Sequence, residues 1–217
     1  MELIGNERVR AQLRALADAD RLHHCLLFEG PEGIGKAASA LWLAATVNCD
    51  ADPAQRPCGR CWSCRQIPKQ QHPDVICLGL DPKKATPIIS VEQARDLMQQ
   101  LTLRPFHARR RFVIIDPMDA MTPAAANAML KTFEEPPAAT GFVLVSSASA
   151  SLLPTVRSRS QRIRFAPVAV DVLAQWLEDR GVEDSAEVAR LAEGCPGRAL
   201  GLSVSDAGAW RESRDQL

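Results

Sequence analysis

Four cysteines, Cys49, Cys58, Cys61 and Cys64, form the pattern C-x8-C-x2-C-x2-C. Four thiolates at such spacing can close a tetrahedral zinc site, the tight x2 steps placing neighbouring sulfurs on one small knuckle. Soft ligands in a set of four leave no open position, so the metal they would hold is structural rather than the bearer of a catalytic water. An iron–sulfur cluster takes the same donors, and free thiols in a loop are the third reading. The flanking Arg56, Pro57, Gly59 and Arg60 offer little core in which to bury thiols, which favours the metal. Cys25, Cys77 and Cys195 lie in apolar or turn contexts and are expected to be packing residues.

A second set is Gly30, Gly33, Gly35 and Lys36, in the pattern G-x-x-x-x-G-K. Glycines let backbone N–H groups close around phosphate oxygens, and the lysine reaches the terminal phosphates. An apolar run, Cys25 to Phe28, precedes the loop and a helical stretch to Val47 follows it, which is the context a phosphate loop needs; an ordinary turn before a helix is the alternative. The next residue should carry a hydroxyl for magnesium but is Ala37. Asp116 ends the apolar run Arg111 to Ile115 and suits a metal-associated carboxylate, yet Pro117 stands where many ATPases place a water-orienting glutamate. Losing both functions argues against efficient hydrolysis and leaves nucleotide and magnesium binding open.

Arginines form the third set. Arg159, in Arg157-Ser158-Arg159, stands just before the last predicted strand. Such a side chain either pairs with a carboxylate of its own chain or points across an interface at a neighbour's triphosphate. The run Arg109-Arg110-Arg111 is expected to be a solvated loop, with a DNA-facing patch as the alternative.

These residues need a scaffold, and the chain supplies one. Its 217 residues, 46% of them hydrophobic, fill one sizeable core or two small ones. Basic and acidic residues number 26 each, so bulk charge cannot hold the chain on nucleic acid. No apolar run approaches the roughly 18 residues of a membrane span, and the start lacks a signal-peptide pattern, which makes the cytoplasm the expected compartment. Asn6 is expected to cap a helix running to Asp18. Strands are expected at 25–28, 74–78, 111–116, 142–146 and 162–165, those at 111–116 and 142–146 buried. Ser90 with Gln93 marks a capping box, and Thr122 with Pro123 marks another helix start, its helix ending at Glu134-Glu135-Pro136-Pro137. The segment 52–73, without an apolar period, is an insertion. From Asp171 onward only helices are expected, with Val172, Leu173, Trp176 and Leu177 on one face.

Taken together, three stretches resemble the bacterial clamp-loader subunits of the AAA+ class, and within it the delta-prime group of DNA polymerase III. They are Phe28 to Lys36 with the cysteine insertion, Ala125-Ala126-Asn127-Ala128-Met129-Leu130-Lys131-Thr132-Phe133-Glu134-Glu135-Pro136-Pro137, and Leu153 to Gln161. The resemblance implies a P-loop NTPase-like AAA+ parallel-sheet α/β domain over 1–166 with a zinc knuckle at about 49–64, then a small helical lid over 167–217. It also implies a C-terminal collar domain that this sequence stops short of, so the chain is expected to be a fragment. The family's Ser-Arg-Cys motif falls on Ser158-Arg159-Ser160, which makes Arg159 the arginine finger. Its first sensor falls on Ser146 or Ser147, and its second lies near Arg198. Implied partners are gamma/tau and delta subunits in a ring, with the sliding clamp and primed DNA met through the assembly. The holoenzyme is a nucleotidyltransferase, but this chain is expected to carry no polymerase chemistry and little or no ATPase. Ala37 and Pro117 favour the delta-prime stator over an active gamma/tau-type motor, which is the alternative; a zinc-dependent nucleic-acid module is the third reading.

Overall fold

The computed structural model describes residues 3–81 and 87–205. They form two compact units. One comprises Arg8–Glu29 and Lys36–Arg164; the other gathers 3–7, Gly30–Gly35 and 165–205. Among the described residues no helix is long and apolar enough to cross a membrane.

The first unit is built on five parallel strands, β1 (Cys25–Glu29), β2 (Val75–Leu78), β3 (Arg111–Ile115), β4 (Thr140–Ser146) and β5 (Gln161–Arg164), in the order β2-β3-β4-β1-β5. The three inner strands are buried at every residue, as continuous apolar runs between helical layers must be. Pairing places Leu27 beside Leu144 and Val113 beside Phe142. Cys25, Leu27, Val113, Ile115, Phe142 and Leu144 share a core with Leu97 of α4 (Val91–Leu101) and with Met129 and Phe133 of α5 (Pro123–Glu134). The Phe133 and Phe142 rings meet edge to face, 5.2 Å apart. Beyond these, α1 (Glu7–Asp18) buries Leu13, and α2 (Lys36–Val47) buries Ala40, Leu43 and Ala44.

Local signals for helix starts hold in detail. Ser90 Oγ accepts the Gln93 N–H while Gln93 Oε1 accepts the Ser90 N–H at 2.9 Å, satisfying two otherwise orphaned donors. Thr122 Oγ1 accepts the Ala125 N–H with Pro123 in the first turn. Asn6 behaves differently. Its backbone is left-handed (φ 55°), and its side-chain amide both donates to and accepts from the Ala166 backbone, so it ties two segments together instead of capping α1.

In the second unit, α7 (Val170–Glu178), α8 (Ser185–Leu191) and α9 (Pro196–Ser205) close around Val168, Leu173, Leu177, Ala189, Ala192 and Ala199. Val172 departs from the expected face: it is 49% exposed, because Leu173 and Leu177 alone define the buried stripe, with Trp176 packed at its margin. Arg180 lies 3.8 Å from the Trp176 ring centre.

Candidate functional site

The carboxyl ends of the strands gather the chemistry of the first unit, where open parallel sheets bind ligands. Lys36 opens α2, is buried, and donates to Ser147 Oγ at 3.2 Å. Ser146 ends β4 and donates to Asp119 Oδ1 at 2.5 Å; the backbone N–H groups of Ser147 and Ala148 donate to Asp119 Oδ2. Asp119, three residues past the expected Asp116, thus fixes the segment that Lys36 touches. Its only signal in the sequence was being a second acid after the strand. Asp116 follows β3, its N–H donating to the Leu78 carbonyl. Cys77 is exposed on the edge strand β2 and is not a core residue, whereas Cys25 and Cys195 are buried. Burial pushes the Cys25 thiol up to about 11 against its bond to Ser160 Oγ.

Glu29, the last residue of β1, was not singled out by the sequence. It is buried, and accepts from Ser149 Oγ at 2.8 Å, from Arg162 Nε and Nη2, and from Arg164 Nε at 2.7 Å. Burial pushes its carboxyl up, but the bonds from Ser149, Arg164 and Arg162 outweigh it and hold the group below the usual carboxylate range.

The glycine loop lies in the second unit. Gly33 has φ 77°, its carbonyl accepts the Gly197 N–H at 2.7 Å, and a Cβ there would meet the Arg198 backbone nitrogen at 2.7 Å. Gly30 and Gly35 also have positive φ. Arg198, in the first turn of α9, therefore meets the loop through its backbone. Its guanidinium donates instead to Glu193 Oε2 at 2.6 Å.

Arg159 lies beyond α6 (Pro154–Arg157). Its Nε donates to Glu134 Oε2 at 2.8 Å and its Nη1 to the Thr155 carbonyl. Ser160, where the motif has Cys, donates to the Val156 carbonyl.

Cys49, Cys58, Cys61 and Cys64 converge, their sulfurs all within 4.8 Å of one another. Tetrahedral ligation at the usual zinc–sulfur length separates sulfurs by about 3.8 Å, close to the 4.0 Å between Cys61 and Cys49. Cys61 caps α3 (Trp62–Gln66). Backbone N–H groups of Ala51 and Cys58 donate to Cys49 Sγ, that of Cys61 to Cys58 Sγ, and that of Cys64 to Cys61 Sγ. Such donors stabilise thiolates; the bonds from Cys61 and Arg60 bring Cys58 down to about 6, while burial raises Cys64. The donor set fits a closed, four-coordinate metal ion.

The arginine run is not a solvated patch. Arg111 is buried, donates to the Leu101 carbonyl and lies 3.9 Å from Asp74. Arg110 crosses β4 at Gly141, where a Cβ would meet its Nε at 2.8 Å, and donates to the Leu22 and His23 carbonyls. Arg109 alone is exposed.

A parallel sheet with this strand order, a strand–glycine loop–helix passage and an accompanying helical unit defines an AAA+ type P-loop fold. A Thermotoga maritima DNA polymerase III gamma subunit-related protein shares it, with TM-score 0.63 at 23% identity over 94% of this chain and 62% of that one. The family model described as DNA polymerase III, delta subunit, matches residues 5–169, and the chain belongs to that family. It is 36% identical over 198 residues to the Pseudomonas aeruginosa DNA polymerase III subunit delta', covering 89% of this chain and 59% of that protein. It is also 36% identical over 164 residues to the Mycobacterium tuberculosis subunit gamma/tau, covering 76% of this chain and 28% of that protein. The chain thus spans less than two thirds of the length of these relatives.

Proposed function

We propose that this chain serves as a delta-prime-type stator in a DNA polymerase III clamp loader. It lends Arg159 in trans to a neighbouring ATPase subunit while the ring places a sliding clamp on primed DNA in the cytoplasm. The observation that carries this reading is the combination, in one chain, of an incomplete hydrolytic set with a partly exposed arginine at the centre of Ser158-Arg159-Ser160. Ala37 offers magnesium no oxygen and Pro117 offers water no base, yet Arg159 keeps a third of its side chain exposed. The extent of similarity to a delta' subunit supports the same assignment. Gly30, Gly33, Gly35, Lys36, Asp116 and Arg198 are proposed as a worn nucleotide site. Cys49, Cys58, Cys61 and Cys64 are proposed to hold structural zinc, the ion best suited to four thiolates without redox chemistry.

Reconstituting the loader with full-length subunits tests the finger. Arg159→Ala is expected to lower clamp- and DNA-stimulated ATP turnover by more than about tenfold; unchanged turnover refutes the assignment. A motor reading is favoured only by the gamma/tau similarity and by the retained Lys36. ATP turnover by this subunit's own site would establish it.

A further inference from the structure

The arginine proposed to reach a neighbour is not presented bare. Glu134 Oε2 receives its Nε–H at 2.8 Å, and the Thr155 carbonyl receives one N–H of Nη1 at 3.2 Å. Among the described residues nothing accepts from Nη2. The guanidinium is therefore gripped from two sides, by the last residue of α5 and by the backbone of α6, with Nη2 and the second hydrogen of Nη1 left over.

Glu134 is an odd choice for its position. Carboxylates are disfavoured at the C-terminal end of a helix, where the backbone dipole is negative, so an acid there needs a cation nearby. Arg159 supplies it. The pair adds little to folding, since Glu134 is 57% exposed and Arg159 33% exposed, and water screens such pairs. What it does accomplish is orientation: a long side chain with several rotatable bonds is restrained to one direction, its remaining donors facing outward.

We propose that Glu134 is the positioning residue for Arg159, holding the guanidinium by its Nε edge so that its free donors meet a neighbour's terminal phosphate already aligned. This rests on the finger reading above. The bond is weak enough to adjust when the phosphate arrives, and no proton or covalent bond is exchanged.

The test uses the reconstituted loader, with full-length subunits, in steady-state ATP turnover. Glu134→Ala is expected to lower kcat about three- to tenfold with KM for ATP unchanged, because alignment acts in the transition state. Glu134→Gln, which keeps an oxygen to accept the Nε–H, is expected to restore turnover to within about twofold. In an Arg159→Ala background, Glu134→Ala is expected to add nothing. If Arg159→Ala slows turnover and Glu134→Ala does not, the positioning role is overturned while the finger stands. If Glu134→Ala costs as much without Arg159 as with it, the residue is structural and the inference fails. If neither change matters, the finger reading itself falls and takes this role with it.

Discussion

Asp74 shows how one side chain can commit a loop. It is 2% exposed and accepts the N–H groups of Phe106, His107 and Ala108 at 2.7–2.9 Å, with Arg111 beyond at 3.9 Å. Burial pushes its carboxyl up, but the N–H groups of His107, Phe106 and Ala108 prevail and hold it below the ordinary carboxylate range. A carboxyl depressed in the folded state contributes stability that is fully present above its unfolded value of about 3.9 and disappears as pH falls through the folded value. Asp74→Asn is therefore expected to cost about 3 kcal/mol at neutral pH, because an amide cannot accept on both atoms and Arg111 loses its counter-charge. Urea melts should show the variant's deficit shrinking below about pH 4; a deficit independent of pH would point to lost packing instead. Gly33 is constrained by shape: Gly33→Ala combines a left-handed φ with a Cβ 2.7 Å from a backbone nitrogen, and is expected to cost at least about 1 kcal/mol in the same melts.

At the scale of elements, the cysteine knuckle is more than a local staple. Trp62, between Cys61 and Cys64 in sequence, places its ring 4.8 Å from His72 and 5.3 Å from His107, the latter on the loop that Asp74 fastens. That loop displays Leu103 and Phe106, the most exposed large apolar side chains among the described residues. Stripping the proposed zinc with a chelator is expected to release α3 and, through Trp62, to raise amide exchange at 106–108 about tenfold or more while β3 and β4 keep their protection. Unchanged exchange at 106–108 would mean the loop is held by Asp74 alone. Local devices of this kind were legible in the sequence: the cysteine spacing, the Ser90 box and the Thr122 start each involve residues a few positions apart. What escaped was long-range. Arg110 and Arg111 read as a basic surface because Gly141, Leu22 and Asp74, which occupy them, lie far away in sequence. For the same reason the Glu134–Arg159 pair, and the two arginines that hold Glu29, could not be seen from spacing. Asn6 failed as a cap because its amide is claimed by Ala166.

For the whole molecule, the decisive question is what the proposed, incomplete nucleotide site can still do. Lys36 remains, engaged with Ser147, and Asp119 keeps that segment ordered. Two absent functions are separable, since Ala37 concerns magnesium and Pro117 concerns the attacking water. Ala37→Thr returns a hydroxyl to the second residue of α2 without touching Pro117. The variant is expected to bind ATP about tenfold more tightly with magnesium than with a chelator present, a gain near 1.4 kcal/mol, while hydrolysing no faster than the unchanged chain. Calorimetric titration reads the first quantity and phosphate release the second. Binding restored without turnover would place the hydrolytic defect at Pro117, as expected of a subunit that acts on its neighbour's nucleotide. Turnover approaching about 1 per second from that single hydroxyl would show instead that the missing magnesium ligand alone had silenced a motor.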